Sequence, residues 1–482
     1  MKNILILTIS WAVSSFRPTI IPRSPFYVKA TNKILNKWGN ELFSVSSTTT
    51  DLEETAQRDI ASMDEWASAC GVERCQGFQL VATNKENEPL DVGAMTTVDL
   101  PAESPVLFVP SHIIISADQS KNEIGYIEAA ENLFYKLGTI DHTPYFYLFL
   151  KLLIEYELGE ESLWYPWLNS LPRYFSTGAS MTHFCCQDCL PPLVGNLALS
   201  ERTRFRQFFK SISYCDLISQ YTKADKKLAK WAFNIVYTRG FEDGYGDVKI
   251  VPFGDYVSCI DPYLSRSREK IADSFRHNFF RRPQFNHDTN WEIQGQYDDQ
   301  GNYYAYTTYD VPAGSPLRMT YTAGDSSNPS FLFARYGFLD ESSPATFCKI
   351  LIEPVTQELV DTGYSHERML FYRGSGEASE EVWDVLLYKI LGENNPEHQQ
   401  ILYVAHMNGD YDTKQALHNQ YYSETLSALK SHVDGFLAEL EDLSNRTVGR
   451  DRNVHPRLPI ILQHNEFVKQ VFLAVRENLN YK

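Results

Sequence analysis

The chain has 482 residues and a formal net charge of −17 at pH 7. Its hydrophobic residues make up 43% and its aromatic residues 13%, which supplies large cores and excludes a disordered chain. The acidic balance argues against nucleic-acid binding, because phosphate contacts need a basic face. It is compatible with a basic protein partner.

The first 50 residues differ from the rest in charge. They hold six basic groups and one acid, so they carry +5 and the remaining chain carries −22. After Lys2, residues 4–13 form an apolar run too short to span a bilayer, which is typical of a signal peptide. From Phe16 to Thr50 the chain is rich in Ser and Thr and poor in acids, which is typical of a transit peptide.

Together these two parts resemble the bipartite plastid presequence of algae with secondary plastids. Residues 1–50 are therefore predicted to be a signal and transit presequence that directs the chain to a plastid. A secretory signal alone, and a cytoplasmic or nuclear chain with a frayed N-terminus, are the alternatives. No run of 18 apolar residues follows, so no membrane contact is predicted for the mature chain.

Strand patterns open the body of the chain. Residues 78–81 and 106–109 are short apolar runs bounded by polar, Gly or Pro residues, and residues 113–115 continue the pattern. From about 124 to 236 the pattern is helical. Residues 145–158 are apolar on all sides and lack Gly and Pro, which predicts a buried helix. Two further helices are predicted, over residues 197–222 and 224–237.

Strand patterns return from residue 248. Residues 248–253 are one predicted strand, and residues 317–321 are another. Between them, the turn-forming residues 298–302 precede a Tyr- and Thr-rich run over 303–309, which predicts a hairpin.

The last third of the chain is predicted to be helical. Apolar residues recur at three- and four-residue spacing from Leu426 to Leu443 and again from Phe467 to Leu479. The order is therefore strands, inserted helices, strands and helices, which is not a Rossmann or barrel pattern. Neither a nucleotide-binding glycine loop nor the hydrolase and zinc-protease motifs GxSxG and HExxH occur.

The eight cysteines do not predict a disulfide framework in a chain this long. His183, Cys185, Cys186 and Cys189 lie close together, but a structural zinc site normally uses two separated ligand pairs. No second CxxC pair exists, so buried thiols under a helix are the prediction, and no metal is expected.

Four segments carry a resemblance to a known family. In chain order they are the insert sequence WYPWLNSLPRYF at 164–175, an SRxF-like segment (Tyr237-Thr238-Arg239-Gly240-Phe241), a closing motif (Met319-Thr320-Tyr321, Asn328-Pro329-Ser330 and Arg335-Tyr336-Gly337-Phe338), and the sequence HPRLPIILQHNEF at 455–467 between and entering the last two helices. In this order they resemble the SET-domain protein methyltransferases of the Rubisco large-subunit lysine methyltransferase-like class, of the algal or diatom type. The resemblance covers roughly residues 62–480.

The resemblance implies an α+β fold. A β-rich SET domain over residues 62–345 is interrupted by a helical insert at about 124–236. An all-helical C-terminal domain over residues 346–482 would bind the protein substrate. The implied activity is S-adenosylmethionine (AdoMet)-dependent protein-lysine N-methylation, with no metal.

Two other functions stay open. A relative in this class methylates histidine, and the sequence does not decide between lysine and histidine. A catalytically inactive, protein-binding SET-like module is the second alternative. It is motivated by Thr322-Ala323-Gly324-Asp325, where the family usually has Gly directly after the catalytic Tyr. It is also motivated by Ser258-Cys259, which stand where the family has its Asn-His pair, and by Gly93, the single glycine where the family has a glycine-rich cofactor loop.

The resemblance also implies roles for individual residues. Tyr321 would be the catalytic Tyr, and Tyr336 and Phe338 would line the substrate channel. Arg239 would bind the cofactor's carboxylate, and Gly93 would let the backbone approach the cofactor.

The family's cofactor-binding Asn-His pair has no match at the usual place. The segment 252–255 resembles the family's P-x-A-D, but Ser258-Cys259 stand where Asn-His would follow. A second partial match ends at His277, and Asn286-His287 keeps both residues just ahead of the predicted hairpin. We therefore predict Asn286 and His287 as the cofactor pair and residues 256–284, with six basic residues against three acids, as an insertion.

Overall fold

The computed structural model describes residues 49–82, 91–243, 245–256, 292–319, 329–339, 341 and 343–481. Nearly all of the predicted presequence lies outside these residues. The described chain is a mixed α+β protein whose small sheets are separated in sequence by helices. Within these ranges, no helix combines the length and apolar character needed to cross a membrane.

The strands are short and pair antiparallel. The first sheet has the order β1-β4-β9-β8, the second β5-β7-β6, and β2 with β3 and β10 with β11 form two-stranded sheets. In chain order they are β1 Glu73–Arg74, β2 Phe78–Ala82, β3 Val92–Thr96, β4 Pro105–Val109, β5 Ile115–Ser116, β6 Phe241–Glu242, β7 Val248–Ile250, β8 Ile293–Tyr297, β9 Tyr303–Thr307, β10 Ala345–Phe347 and β11 Leu370–Tyr372.

Helices fill the segment between β5 and β6 and most of the C-terminal third. In chain order they are α1 Ile60–Ala69, α2 Ala117–Ile124, α3 Glu128–Lys136, α4 Thr143–Leu158, α5 Tyr165–Ser170, α6 His183–Asp188, α7 Pro192–Ser211, α8 Gln220–Ala224, α9 Lys226–Arg239, α10 Pro329–Tyr336, α11 Gln357–Asp361, α12 Glu380–Asn394, α13 Pro396–Asn408, α14 Tyr411–Gln420, α15 Tyr422–Asn445 and α16 Leu458–Asn480.

The predicted hairpin is confirmed. Strands β8 and β9 pair from Ile293 with Thr307 to Tyr297 with Tyr303. The Asp298 carboxylate closes the turn by accepting hydrogen bonds from two backbone N–H groups, each at 2.9 Å, and Gly301 takes the positive φ of 77° that the turn requires.

Two predicted strands differ from the described structure. The strand predicted over 248–253 ends at Ile250, because Pro252 has no N–H and Phe253 has a φ of 72°, which starts a helical turn over Gly254–Tyr256. In the strand predicted over 317–321, the described part forms isolated hydrogen bonds instead of a ladder. Leu317 N–H donates to Ala94 at 2.9 Å, and Arg318 accepts from Ile293 at 3.1 Å.

The helix predicted over 197–222 is two helices. Helix α7 ends at Ser211, and a short 3-10 turn follows. A new helix, α8, starts at Gln220 because the Ser219 side chain accepts from the backbone N–H of Thr222 and caps it. Helix α9 is capped in the same way by Asp225. The buried helix predicted over 145–158 is confirmed as α4, with nine buried residues.

Two hydrophobic cores share helix α7. Phe205 and Phe208, towards its C-terminal end, lie in the core formed by strands up to β9 and by α1–α5 and α9. Leu193 and Val194, at its start, lie in the core formed by α6, α10 and the C-terminal helices. Helix α7 therefore connects the part that carries the sheets to the C-terminal helices.

The cysteine cluster is buried as predicted. Cys185, Cys186 and Cys189 lie in the second core, and each is at most 1% exposed. Burial raises the pKa of Cys186 to about 11 and that of Cys189 to about 12, so both are thiols at neutral pH. His464 is fully buried against Phe333, and burial lowers its pKa to about 3.

Lys349, two residues after β10, is a buried lysine. It is 6% exposed, and its Nζ donates to the Ser330 hydroxyl at 3.0 Å. No carboxylate of the described residues forms an ion pair with it. Burial lowers the pKa of Lys349 to about 7, because the charged ammonium loses its hydration there.

We expect Lys349 to make the chain more stable as the pH rises from 7 to 9. The unfolded lysine stays charged in this range while the folded one loses its proton, so the free energy of unfolding gains about 1.4 kcal/mol per pH unit from this group. Lys349→Met should remove that gain. Urea unfolding at pH 7, 8 and 9 measures it.

The exposed Lys136→Met is the matched control and should keep the wild-type pH dependence. Parallel pH profiles of wild-type and Lys349→Met would contradict a near-neutral buried Lys349.

Candidate active site

The structure describes four of the predicted site residues. Gly93, Arg239, Tyr336 and Phe338 belong to the described ranges. The other predictions, Tyr321 and the pair Asn286-His287, lie outside the described residues. So do Ser258-Cys259, His277 and the predicted insertion apart from Tyr256.

Arg239 is the last residue of α9 and forms a buried ion pair. Its Nε lies 2.9 Å from Oδ2 of Asp255, with side-chain exposures of 6% and 1%. Asp255 sits in the helical turn that follows β7. The Trp167 indole N–H also points at this carboxylate, at 3.3 and 3.4 Å from its two oxygens. Three distant segments therefore meet at one carboxylate.

A second guanidinium, that of Arg58, lies beside this group. Its Nε donates to the Ser170 carbonyl at 2.7 Å, and its guanidinium lies 5.7 Å from the Tyr256 ring centroid. The Tyr256 hydroxyl donates to the same Ser170 carbonyl at 2.8 Å. We call Arg58, Trp167, Arg239, Asp255 and Tyr256 the buried charge cluster.

Burial dominates the electrostatics of the charge cluster. It raises the pKa of the Asp255 carboxyl, and the neighbouring Arg239 and Trp167 oppose that shift because they favour the carboxylate. Burial also raises the pKa of Tyr256, so its hydroxyl stays protonated. The cluster therefore combines two guanidinium cations with one fully buried acid.

Gly93 lies on a strand whose preceding residue Asp91 reaches the charge cluster. Gly93 pairs with Val81 in the β2–β3 ribbon. Asp91, two residues earlier, has its carboxylate 4.0 Å from Nη1 of Arg58. Asp91 thus connects the ribbon that carries Gly93 to Arg58 of the charge cluster.

Tyr336 and Phe338 stand on either side of a tight turn. Tyr336 ends α10, and its ring centroid is 6.0 Å from that of Phe338. Gly337 between them has a φ of 78°, and a Cβ there would lie 2.3 Å from the backbone carbon of Ser176. Only glycine fits this approach, so the turn fixes where both aromatic rings lie.

Arg335 connects Tyr336 to the helix that carries Arg239. Its guanidinium lies 5.6–5.8 Å from the ring centroids of Tyr145, Tyr237 and Tyr336. Tyr145 and Tyr237 stack at 4.8 Å with an interplanar angle of 11°. Arg335 also donates to the Tyr237 carbonyl and the Tyr145 hydroxyl, each at 3.4 Å.

The ends of α9 and α10 are therefore in contact. Tyr237 lies two residues before Arg239 at the end of α9, and Gly240 directly follows Arg239. A Cβ at Gly240 would come within 3.6 Å of the Tyr145 ring, which Arg335 also contacts. Arg335, the residue before the predicted channel residue Tyr336, thus contacts the helix end that carries Arg239.

Sequence reasoning missed several members of this region. Asp255 was recognised only as part of a motif, and Arg58, Trp167 and Tyr145 had no assigned role. Arg335 and Tyr237 could have been found from their positions in the sequence. Arg335 directly precedes Tyr336, and Tyr237 lies two residues before Arg239. No spacing rule indicates that Arg58 or Trp167 meets Asp255, since each is more than 80 residues away along the chain.

Among the described residues, no group of three or more His, Cys, Asp or Glu side chains is arranged to hold a metal ion. No protein-family model matches the chain, and neither does any curated protein.

Solved structures do match the fold. A structure of Rubisco LSMT bound to AdoMet has 14% identity and a TM-score of 0.52, covering 88% of this chain and 92% of that one. The SET domain of LSMT bound to lysine and AdoHcy also has 14% identity and a TM-score of 0.52, with 88% and 91% covered. Rubisco LSMT bound to sinefungin and monomethyllysine has 15% identity and a TM-score of 0.50, with 88% and 92% covered. The chain therefore has the fold of the Rubisco LSMT structures, a SET domain followed by a helical C-terminal region.

Proposed function

We propose that the chain is an AdoMet-dependent protein methyltransferase whose acceptor is a lysine amine. The observation that carries the proposal is the likeness in fold to LSMT structures over 88% of the chain, because those structures hold AdoMet, AdoHcy, lysine or monomethyllysine. The order of the motifs in the sequence supports the same class independently of the structure.

The charge cluster fits the amino-acid end of AdoMet. A guanidinium presents five N–H donors, so an ion pair through Nε to Asp255 is compatible with a second carboxylate at the Nη side of Arg239. We propose that Arg239 binds the cofactor's carboxylate and that Gly93 lets the backbone approach it. Asn286 and His287 complete the proposed cofactor site on the strength of the resemblance.

AdoMet supplies an electrophilic methyl group, and the chain must supply a neutral amine in line with it. In the proposed transfer the amine nitrogen would form a bond to the methyl carbon while the sulfur–carbon bond breaks, AdoHcy would leave as the neutral thioether, and the methylated ammonium would lose a proton to water. At pH 7 only about one free lysine in 2,500 is neutral, so the channel must favour the unprotonated amine. Tyr321 is the proposed catalytic residue, and the rings of Tyr336 and Phe338 form the proposed channel wall that excludes water.

The proposed acceptor is a protein with a basic surface, because the chain beyond its first 50 residues carries −22. We propose a domain division at 62–345 and 346–482, with the C-terminal helices binding that protein. The plastid is the proposed location, on the strength of the N-terminal pattern alone.

Mass spectrometry tests the proposed reaction. The full chain is incubated with deuterium-methyl AdoMet and a lysate of its source, and labelled side chains are mapped. Labelled lysines support the proposal, and labelled histidines would replace it with the histidine alternative. Labelling that is equal with and without the chain would contradict methyl transfer. Tyr321→Phe is the control for transfer by a co-purified enzyme.

A further inference from the structure

Arg335 is a half-buried cation, and no carboxylate of the described residues forms an ion pair with it. Its guanidinium is surrounded by the rings of Tyr145, Tyr237 and Tyr336. Cation–π contacts stabilise such a charge without neutralising it. A guanidinium remains protonated throughout the accessible pH range, so its charge is permanent.

The other ionisable groups around Arg335 do not cancel this charge. Helix α7 contributes Glu201 and Arg204, which form an ion pair with each other. The turn before α4 contributes Asp141, which is exposed, and His142. Burial together with Arg204 lowers the pKa of His142 to about 4. His142 is therefore neutral at pH 7.

Two of the tyrosines around Arg335, Tyr237 and Tyr336, are neutral as well. Burial raises the pKa of Tyr237 well above its usual value, and it also raises the pKa of Tyr336. Apart from the exposed Asp141, which solvent screens, the groups named here thus leave one net positive charge beside the proposed channel wall.

We propose that Arg335 is a positioning residue of the acceptor channel, which clamps Tyr336 in place and whose positive charge favours the neutral form of the entering amine. This inference rests on the proposed function. The clamp follows because the same guanidinium contacts Tyr336 and also Tyr237 and Tyr145. The electrostatic effect follows because a positive field destabilises an ammonium ion relative to an amine.

The pH dependence of transfer distinguishes this role from simple packing. The probe is poly-L-lysine as the amine acceptor, with saturating AdoMet, and the single-turnover rate constant is measured from pH 7 to 10.5. At saturation the midpoint of this profile reports the proton affinity of the bound amine. Arg335→Gln should move the midpoint upwards by roughly one pH unit, the effect of a unit charge about 10 Å away at an effective dielectric constant of about 20.

Three variants make the test specific. Arg335→Lys keeps the charge and should keep the midpoint, even where its rate is lower because the clamp is lost. Glu201→Gln removes a negative charge and should move the midpoint downwards. Arg206→Gln removes an exposed arginine of the same helix α7 and should leave the midpoint unchanged.

An unchanged midpoint in Arg335→Gln, or an equal shift in Arg335→Lys, would overturn the inference while leaving the proposed function intact. If Arg335→Gln does not fold, an unchanged midpoint in Glu201→Gln overturns it instead. A wild-type chain that transfers methyl groups to neither poly-L-lysine nor lysate proteins overturns the proposed function and this inference together.

Discussion

Tyr321→Phe is expected to lower the single-turnover rate of methyl transfer by at least about a hundredfold, while AdoMet affinity changes by less than about twofold. The hydroxyl is the proposed group beside the sulfonium and the amine, so its loss affects alignment at the transition state more than binding of the cofactor. Quenched-flow transfer assays and calorimetric titration with AdoMet measure the two effects separately.

The matched control is Tyr306→Phe, which removes a hydroxyl from a β9 tyrosine whose ring stacks on Tyr304 and to which no catalytic role is assigned. It should transfer at the wild-type rate. A Tyr321→Phe variant that methylates as fast as wild type would show that Tyr321 is not the catalytic residue.

Asp255→Ala is expected to cost about 3–5 kcal/mol in the free energy of unfolding. The substitution leaves the Arg239 guanidinium buried beside Arg58 without the carboxylate that it contacts at 2.9 Å. Adding Arg239→Met should recover part of the lost free energy of unfolding, because it removes the buried guanidinium that Asp255→Ala leaves unpaired. Urea unfolding of the wild type, both single variants and the double variant forms a complete cycle.

The exposed ion pair between Asp442 and Arg446 on α15 is the control for this cycle. Asp442→Ala should cost less than about 1 kcal/mol, because solvent screens exposed pairs. If Asp255→Ala lowers the free energy of unfolding no more than Asp442→Ala does, the charge cluster does not stabilise the fold.

Local patterns predicted much of the fold. The apolar run that became α4, the turn cluster before β9 and the leucine spacing of α15 each act within a few residues, so the sequence contains the whole signal. The failures also had local causes. The cap at Ser219 divided a predicted helix, and Pro252 with Phe253 ended a predicted strand.

The candidate site was less predictable because its contacts are distant in sequence. The motif order indicated Arg239 and Tyr336, yet their neighbours Asp255 and Arg335 acquire roles only when α9 meets the turn after β7 and the end of α10. Choosing which carboxylate meets which guanidinium requires the packing of several elements at once. The roles of Tyr321, Asn286 and His287 remain predictions from the resemblance.

Calorimetric titration of the full chain with AdoMet tests the central claim most directly. A methyltransferase should bind AdoMet saturably and one-to-one, with a dissociation constant between about 1 µM and 1 mM. Adenosine, which lacks the carboxylate proposed to meet Arg239, is the control ligand and should bind at least about tenfold more weakly. Absence of saturable AdoMet binding by the folded chain would contradict both the lysine and the histidine methyltransferase readings and leave a protein-binding module.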